Sequence, residues 1–175
     1  EDSLLTEVEA AILKGDIEFA QANIPHLDVT NEFSTILNLI ASNADVSYSQ
    51  YLGFFQHIID SEKTDLVLLN TYIQNNIQEP ESKSQIDYPY VRINWLIISN
   101  LDDVSEIELS TKRQQKLEAY IDQFNPNDRD VKRAKILANT HHLVMFQIKR
   151  NAKDGMISCL ESEKIAREIK DTNLI

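Results

Sequence analysis

Residues 11–24 read AILKGDIEFAQANI, and the Gly15-Asp16 pair at their centre decides the fold. Upstream, Leu5, Val8, Ala11 and Ile12 recur at helical spacing, so a first helix runs from Leu4 to Lys14. Glycine breaks it. The Asp16 carboxylate can accept from the first N–H groups of a second helix, Ile17 to Ile24, which stops before Pro25. Two helices joined by so short a break fold back on each other as an antiparallel hairpin.

The same grammar continues outward. Thr30 or Asn31 caps a third helix through Asn43, with Phe33, Ile36, Leu37 and Ile40 apolar. Ser47 opens a fourth to Asp60, and Thr64 caps a fifth, Asp65 to Gln78. The polar stretch QEPESKSQID (78–87), with Pro80, is the clearest long loop. Tyr88 to Leu101 follows; VRINWLII alternates in part as a strand does, but its length favours helix. Asp102 to Leu109 reads as irregular, and Ser110 or Thr111 starts a helix to Phe124. Asn125-Pro126-Asn127-Asp128 is a turn and cap cluster before a long helix, Arg129 to Arg150. Asp154 introduces the last helix, through Ile169. The expectation is a single all-α domain over 1–175, built of antiparallel hairpins stacked into a short array or a compact bundle.

Composition agrees. Three Gly and four Pro in 175 residues are too few for a turn-rich all-β fold. At 42% hydrophobic and 26% charged, the chain can bury a core. Its single cysteine, Cys159 in MISCL, cannot form an internal disulfide and reads as a buried, inert thiol, so the expected compartment is the cytoplasm. No apolar run approaches the roughly 20 residues that span a bilayer. The chain starts at Glu1 and not Met, which is expected of a processed or cut-out part of a longer protein. Residues 1–110 carry 19 Asp+Glu against 4 Lys+Arg, a net of −15, and residues 111–175 carry 9 against 13, a net of +4. The acidic front repels nucleic acid and anionic membrane. The basic back, including Lys112, Arg113, Lys132, Arg133 and Lys135, reads as a solvated helix face.

Catalytic signatures are lacking. No phosphate-cradling glycine loop, nucleophile elbow or zinc-protease motif occurs. His141-His142 are adjacent, so on a helix they point about 100° apart and do not chelate one metal. His57 and Asp60, three apart, make a weak pair. Asp102-Asp103, Glu106 and Glu108 read as solvated surface. Neither an enzyme, a metal nor a cofactor is expected.

Four asparagines stand out instead, each inside an apolar helical stretch: Asn38 in ILNLI, Asn70 in LLNTY, Asn94 in RINWL and Asn139 in LANTH. Asn is a poor helix-interior residue because its amide competes for backbone hydrogen bonds. An amide carries both donor and acceptor, so a row of them can satisfy an extended peptide backbone. Tyr72 and Trp95 are the accompanying candidates for apolar pockets between the amides.

The Gly15-Asp16 turn with Ala20 five residues beyond Gly15, and the C-terminal SEKIAREIKDTNLI (162–175), resemble the helix pairs of tetratricopeptide repeats. LIASNADVS (39–47) and LIISNLDDVS (96–105) are weaker echoes. The anchors Ile12, Ile40, Leu68 and Ile97 are spaced 28, 28 and 29, short of the usual 34, so the repeat is degenerate. Degenerate repeats of this kind resemble the peptide-sensing domains of the Rap, Rgg and PlcR group of bacterial regulators. That resemblance implies a superhelical array in which Asn38, Asn70, Asn94 and Asn139 clamp a short peptide. The expected partner is a peptide or protein segment, with homodimerisation open and no nucleic acid bound by this segment. An adaptor or secreted effector domain is the alternative from another class, and a helical enzyme with a site assembled from distant residues is the third.

Overall fold

The computed structural model describes residues 3–61, 65–100, 107–149 and 152–169; the side chains of 107, 141–149 and 152–155 fall outside that description. Among the described residues the chain is all-α, with nine α-helices, no strand, and packing mainly between sequential antiparallel neighbours. It divides into two compact units, Glu1–Gln78 and Glu79–Ile175.

The first unit holds α1 (Ser3–Lys14), α2 (Ile17–Asn23), a 3-10 turn (Ile24–His26), α3 (Asn31–Ala41), α4 (Tyr48–Asp60) and α5 (Leu66–Asn76). Gly15 sits at φ 82°, the left-handed conformation that closes α1. Its N–H donates to Ile12 O at 3.1 Å and the Asp16 N–H to Ala11 O at 2.8 Å, the paired bonds of a Schellman motif. Asp16 then caps α2 by accepting from Phe19 N at 3.2 Å. Asn43, at φ 52°, ends α3 in the same way, with Asn43 N to Ile40 O and Ala44 N to Leu39 O. Thr30 caps α3, and Ser47 with Gln50 forms a reciprocal capping box on α4. Asp65 caps α5; the expected cap, Thr64, lies outside the described residues. The buried interior gathers Val8, Ile12, Ala20, Leu37, Phe54, Phe55, Ile58, Leu69 and Ile73.

The second unit holds α6 (Tyr88–Asn100), α7 (Ile107–Ile121), α8 (Arg129–Lys149) and α9 (Ala152–Ile169). Its core joins Ile86, Val91, Ile98, Leu117, Tyr120, Ile121, Phe124, Val131, Ala134 and Ala138. Tyr120 is the keystone. Its ring meets Tyr90 and Phe124 edge-on at 4.8 and 5.0 Å, and its hydroxyl accepts from Asp87 N at 3.0 Å. That bond and buried Ile86 fix the end of the polar loop, so that Asp87 can cap α6 through Tyr90 N at 3.1 Å.

Several boundaries differ from the sequence reading: α3 stops at Ala41, α5 at Asn76 and α7 at Ile121, two or three residues short, and two helix starts move. Helix α7 begins at Ile107, so 107–109 are helical and not irregular, while 102–106 lie outside the described residues. Ser110 looked like a cap but is buried inside the helix, and a Glu108–Lys112 ion pair at 2.9 Å braces the first turns. Helix α9 starts at Ala152, two residues before Asp154.

Candidate interaction site

The amides come first. Asn38 is exposed on α3 and turns its Nδ2 back to Ser34 O at 3.0 Å. Asn23, Asn76, Asn94 and Asn100 make the same bond to the carbonyl four residues earlier, at 2.8–2.9 Å. Helices in this chain therefore accommodate asparagine locally, and a mid-helix Asn is a weaker mark of a ligand groove than it looks in sequence. Asn70 is buried on α5. Near it in sequence, Tyr72 is half-buried, edge-on to Phe55 at 6.0 Å. Burial, and then the neighbouring Tyr51, push its phenol above the ordinary tyrosine range. These three candidates belong to the first unit.

In the second unit the candidates join a polar seam. Asn94 is buried on α6; besides its Nδ2 bond to Tyr90 O, its Oδ1 accepts from Arg113 Nη1 of α7 at 2.9 Å. Arg113, read from sequence as part of a solvated face, is only 8% exposed, and burial lowers its pKa. Gln114 of α7 donates to Ala138 O of α8 at 2.8 Å and to Glu118 Oε1 at 2.9 Å. Trp95 of α6 donates its Nε1 to Thr140 Oγ1 of α8 at 3.0 Å. Each pair among α6, α7 and α8 is thus tied by at least one buried or half-buried side-chain bond. Asn94 and Trp95 serve this tie. Asn139, next to Thr140, has no partner for its buried Nδ2 among the described residues. It lines a polar cleft of about 190 Å³ with Glu118, Asp122, Lys135 and Glu161.

Helix α9 carries the feature that sequence reasoning missed. It packs along α8, burying Ser158 and Ala166, and Lys132 of α8 pairs with Glu168 at 3.2 Å. At 100° per residue, Met156, Ile157 and Leu160 fall on the other side of the helix. They are 61, 53 and 57% exposed. Cys159, expected to be buried, is exposed beside them. The signal was present: Ser158, Ser162 and Ala166, four apart, mark the close-packed face and turn the larger apolar residues outward. An open groove of about 620 Å³ continues this side along Leu160, Glu163, Lys164, Arg167 and Glu168.

One polar contact stands apart from both features. Glu9 of α1 is buried, and its Oε2 lies 2.9 Å from His57 Nδ1 of α4. His57 was read with Asp60, which instead accepts from Gln56 at 2.8 Å. No three His, Cys, Asp or Glu side chains among the described residues gather as a metal site, and no described helix is long and apolar enough to cross a membrane. The chain matches no family model, no curated protein and no solved structure.

Proposed function

We propose that the chain is a non-catalytic helical module that docks a peptide or protein segment on the outward side of α9. The observation that carries this reading is the row Met156, Ile157 and Leu160, each more than half exposed on one helix side. Fully burying a side chain of this size is worth about 1.5–3 kcal/mol, so three together supply a strong incentive to be covered. Lys164 and Arg167 continue the same side with positive charge, while Glu163 pairs with Arg167. The partner that fits is an amphipathic helix, apolar at i, i+3 and i+4, with carboxylates toward the basic end.

The tetratricopeptide-like resemblance of the chain's two ends, of which residues 170–175 lie outside the described residues, favours a sensory domain of a bacterial regulator. An adaptor or effector domain uses the same surface. Asn139 supports a second, more local reading: its unpartnered donor in the α7–α8–α9 cleft suits a peptide carbonyl.

Selection from a displayed library of random 16-residue peptides tests the proposal. The reading expects enriched sequences to share the apolar helical pattern and to bind Ile157→Asp/Leu160→Asp at least about tenfold more weakly, a difference of about 1.4 kcal/mol. Enriched peptides that bind the double variant equally well would remove α9 from the account. Peptides that respond to Asn139→Ala alone favour the second reading.

A further inference from the structure

Glu9 is 3% exposed, set among buried Val8, Ile12 and Leu13 of its own helix. The imidazole facing it is 41% exposed at the side chain, and the Phe33 ring of α3 lies over that imidazole at 4.7 Å and 38°. Three helices therefore meet at one buried carboxylate with a titratable partner at its mouth. Other charged groups on these and the neighbouring elements are Glu7 and Lys14 on α1, Asp16 and Glu18 at the head of α2, Glu32 on α3, Asp60 on α4 and Asp65 at the head of α5, all exposed. His26 of the 3-10 turn is exposed too, and Tyr51 and Tyr72 are phenols that burial holds neutral. His57 is the group that acts on the Glu9 carboxylate.

We infer that Glu9 and His57 form a proton-tightened clasp that holds α1 against α4. With a neutral imidazole donating to it, the Glu9 carboxylate leaves one buried negative charge on the pair. One added proton brings the pair to net zero, either as imidazolium facing carboxylate or as neutral acid facing imidazole. A lone buried charge is costly and a paired or neutral one much less so. The proton belongs to the pair and not to one residue. Burial pushes the Glu9 pKa upward, against the opposing pull of His57. A raised pKa in the folded state gives stability that is full at low pH and lost as pH rises through the folded value. Acidification tightens the clasp, and alkaline conditions loosen it.

Hydrogen-exchange protection factors for the α1 amides, corrected for intrinsic rates, read this directly in the whole chain. From pH 8 to pH 5.5 the wild type is expected to gain at least about threefold in protection relative to Glu9→Gln, which keeps the acceptor but not the charge. Parallel wild-type and Glu9→Gln profiles would overturn the clasp. A second measurement follows the Glu9 carboxyl carbon by NMR in His57→Gln, a change at a half-exposed position. Loss of the imidazole's opposing pull moves the Glu9 titration to higher pH; an unmoved titration contradicts a shared proton.

Discussion

Arg113 Nη1 donates to Asn94 Oδ1 across 2.9 Å, joining α7 to α6 inside the second unit with both residues buried. The acceptor is a neutral amide, so the guanidinium keeps its charge in a place where burial already depresses its pKa. Removing the amide takes one acceptor from a buried guanidinium. Asn94→Ala is therefore expected to cost about 1–3 kcal/mol in urea unfolding. Asn38→Ala, at an exposed position bonded only to its own helix, is expected to stay within about 0.5 kcal/mol of wild type. Equal losses would mean that the two asparagines are held alike.

Gly15 closes α1 at φ 82° with nothing within 4 Å of an added Cβ. The penalty for Gly15→Ala is then conformational and not steric crowding, about 1 kcal/mol. Asn43, at φ 52°, holds the same position after α3, and Asn43→Gly is expected to gain a few tenths of a kcal/mol, on the order of the glycine advantage there. Thermal unfolding of both variants checks the opposite signs.

Burial raises the pKa values of Tyr51, Tyr72 and Tyr88. A phenol with a raised folded pKa contributes stability that is full below its unfolded value, about 10, and lost as pH rises through the folded one. Ultraviolet titration of the folded chain is expected to show some of its six tyrosines ionising late. Tyr72→Phe removes one of the late group. An unchanged late step would place Tyr72 in water.

Cys159 is exposed on α9 and is the chain's single cysteine. Its reaction with a thiol-specific disulfide reagent in the native state is expected to come within about tenfold of the rate in denaturant, since an accessible thiol's reactivity is set by its thiolate fraction. A much slower native reaction returns the thiol to the interior.

The helix order was legible because stop and start residues are local. Gly15 and Asp16, Thr30, Ser47 with Gln50, and Asp128 all act within a few residues of themselves. Partners across the fold were not legible. Arg113 looked solvated because its acceptor, Asn94, is 19 residues away, and the His57–Glu9 contact was out of reach because the two are 48 residues apart. Ser110 misled the α7 boundary, since a serine inside a helix and one at its cap differ only in burial. In α9 the apolar run MISCL suggested a buried Cys159, but the small residues Ser158, Ser162 and Ala166 take the packed face and the thiol is exposed.

The most direct measurement uses Cys159 as the reporter. An environment-sensitive fluorophore on that thiol is titrated with a library-selected amphipathic peptide, in wild type and in Ile157→Asp/Leu160→Asp. The account predicts a saturable signal in wild type and at least about tenfold weaker binding in the double variant. Equal affinity in the two proteins, or competition by the peptide with no response at Cys159, contradicts docking on the outward side of α9.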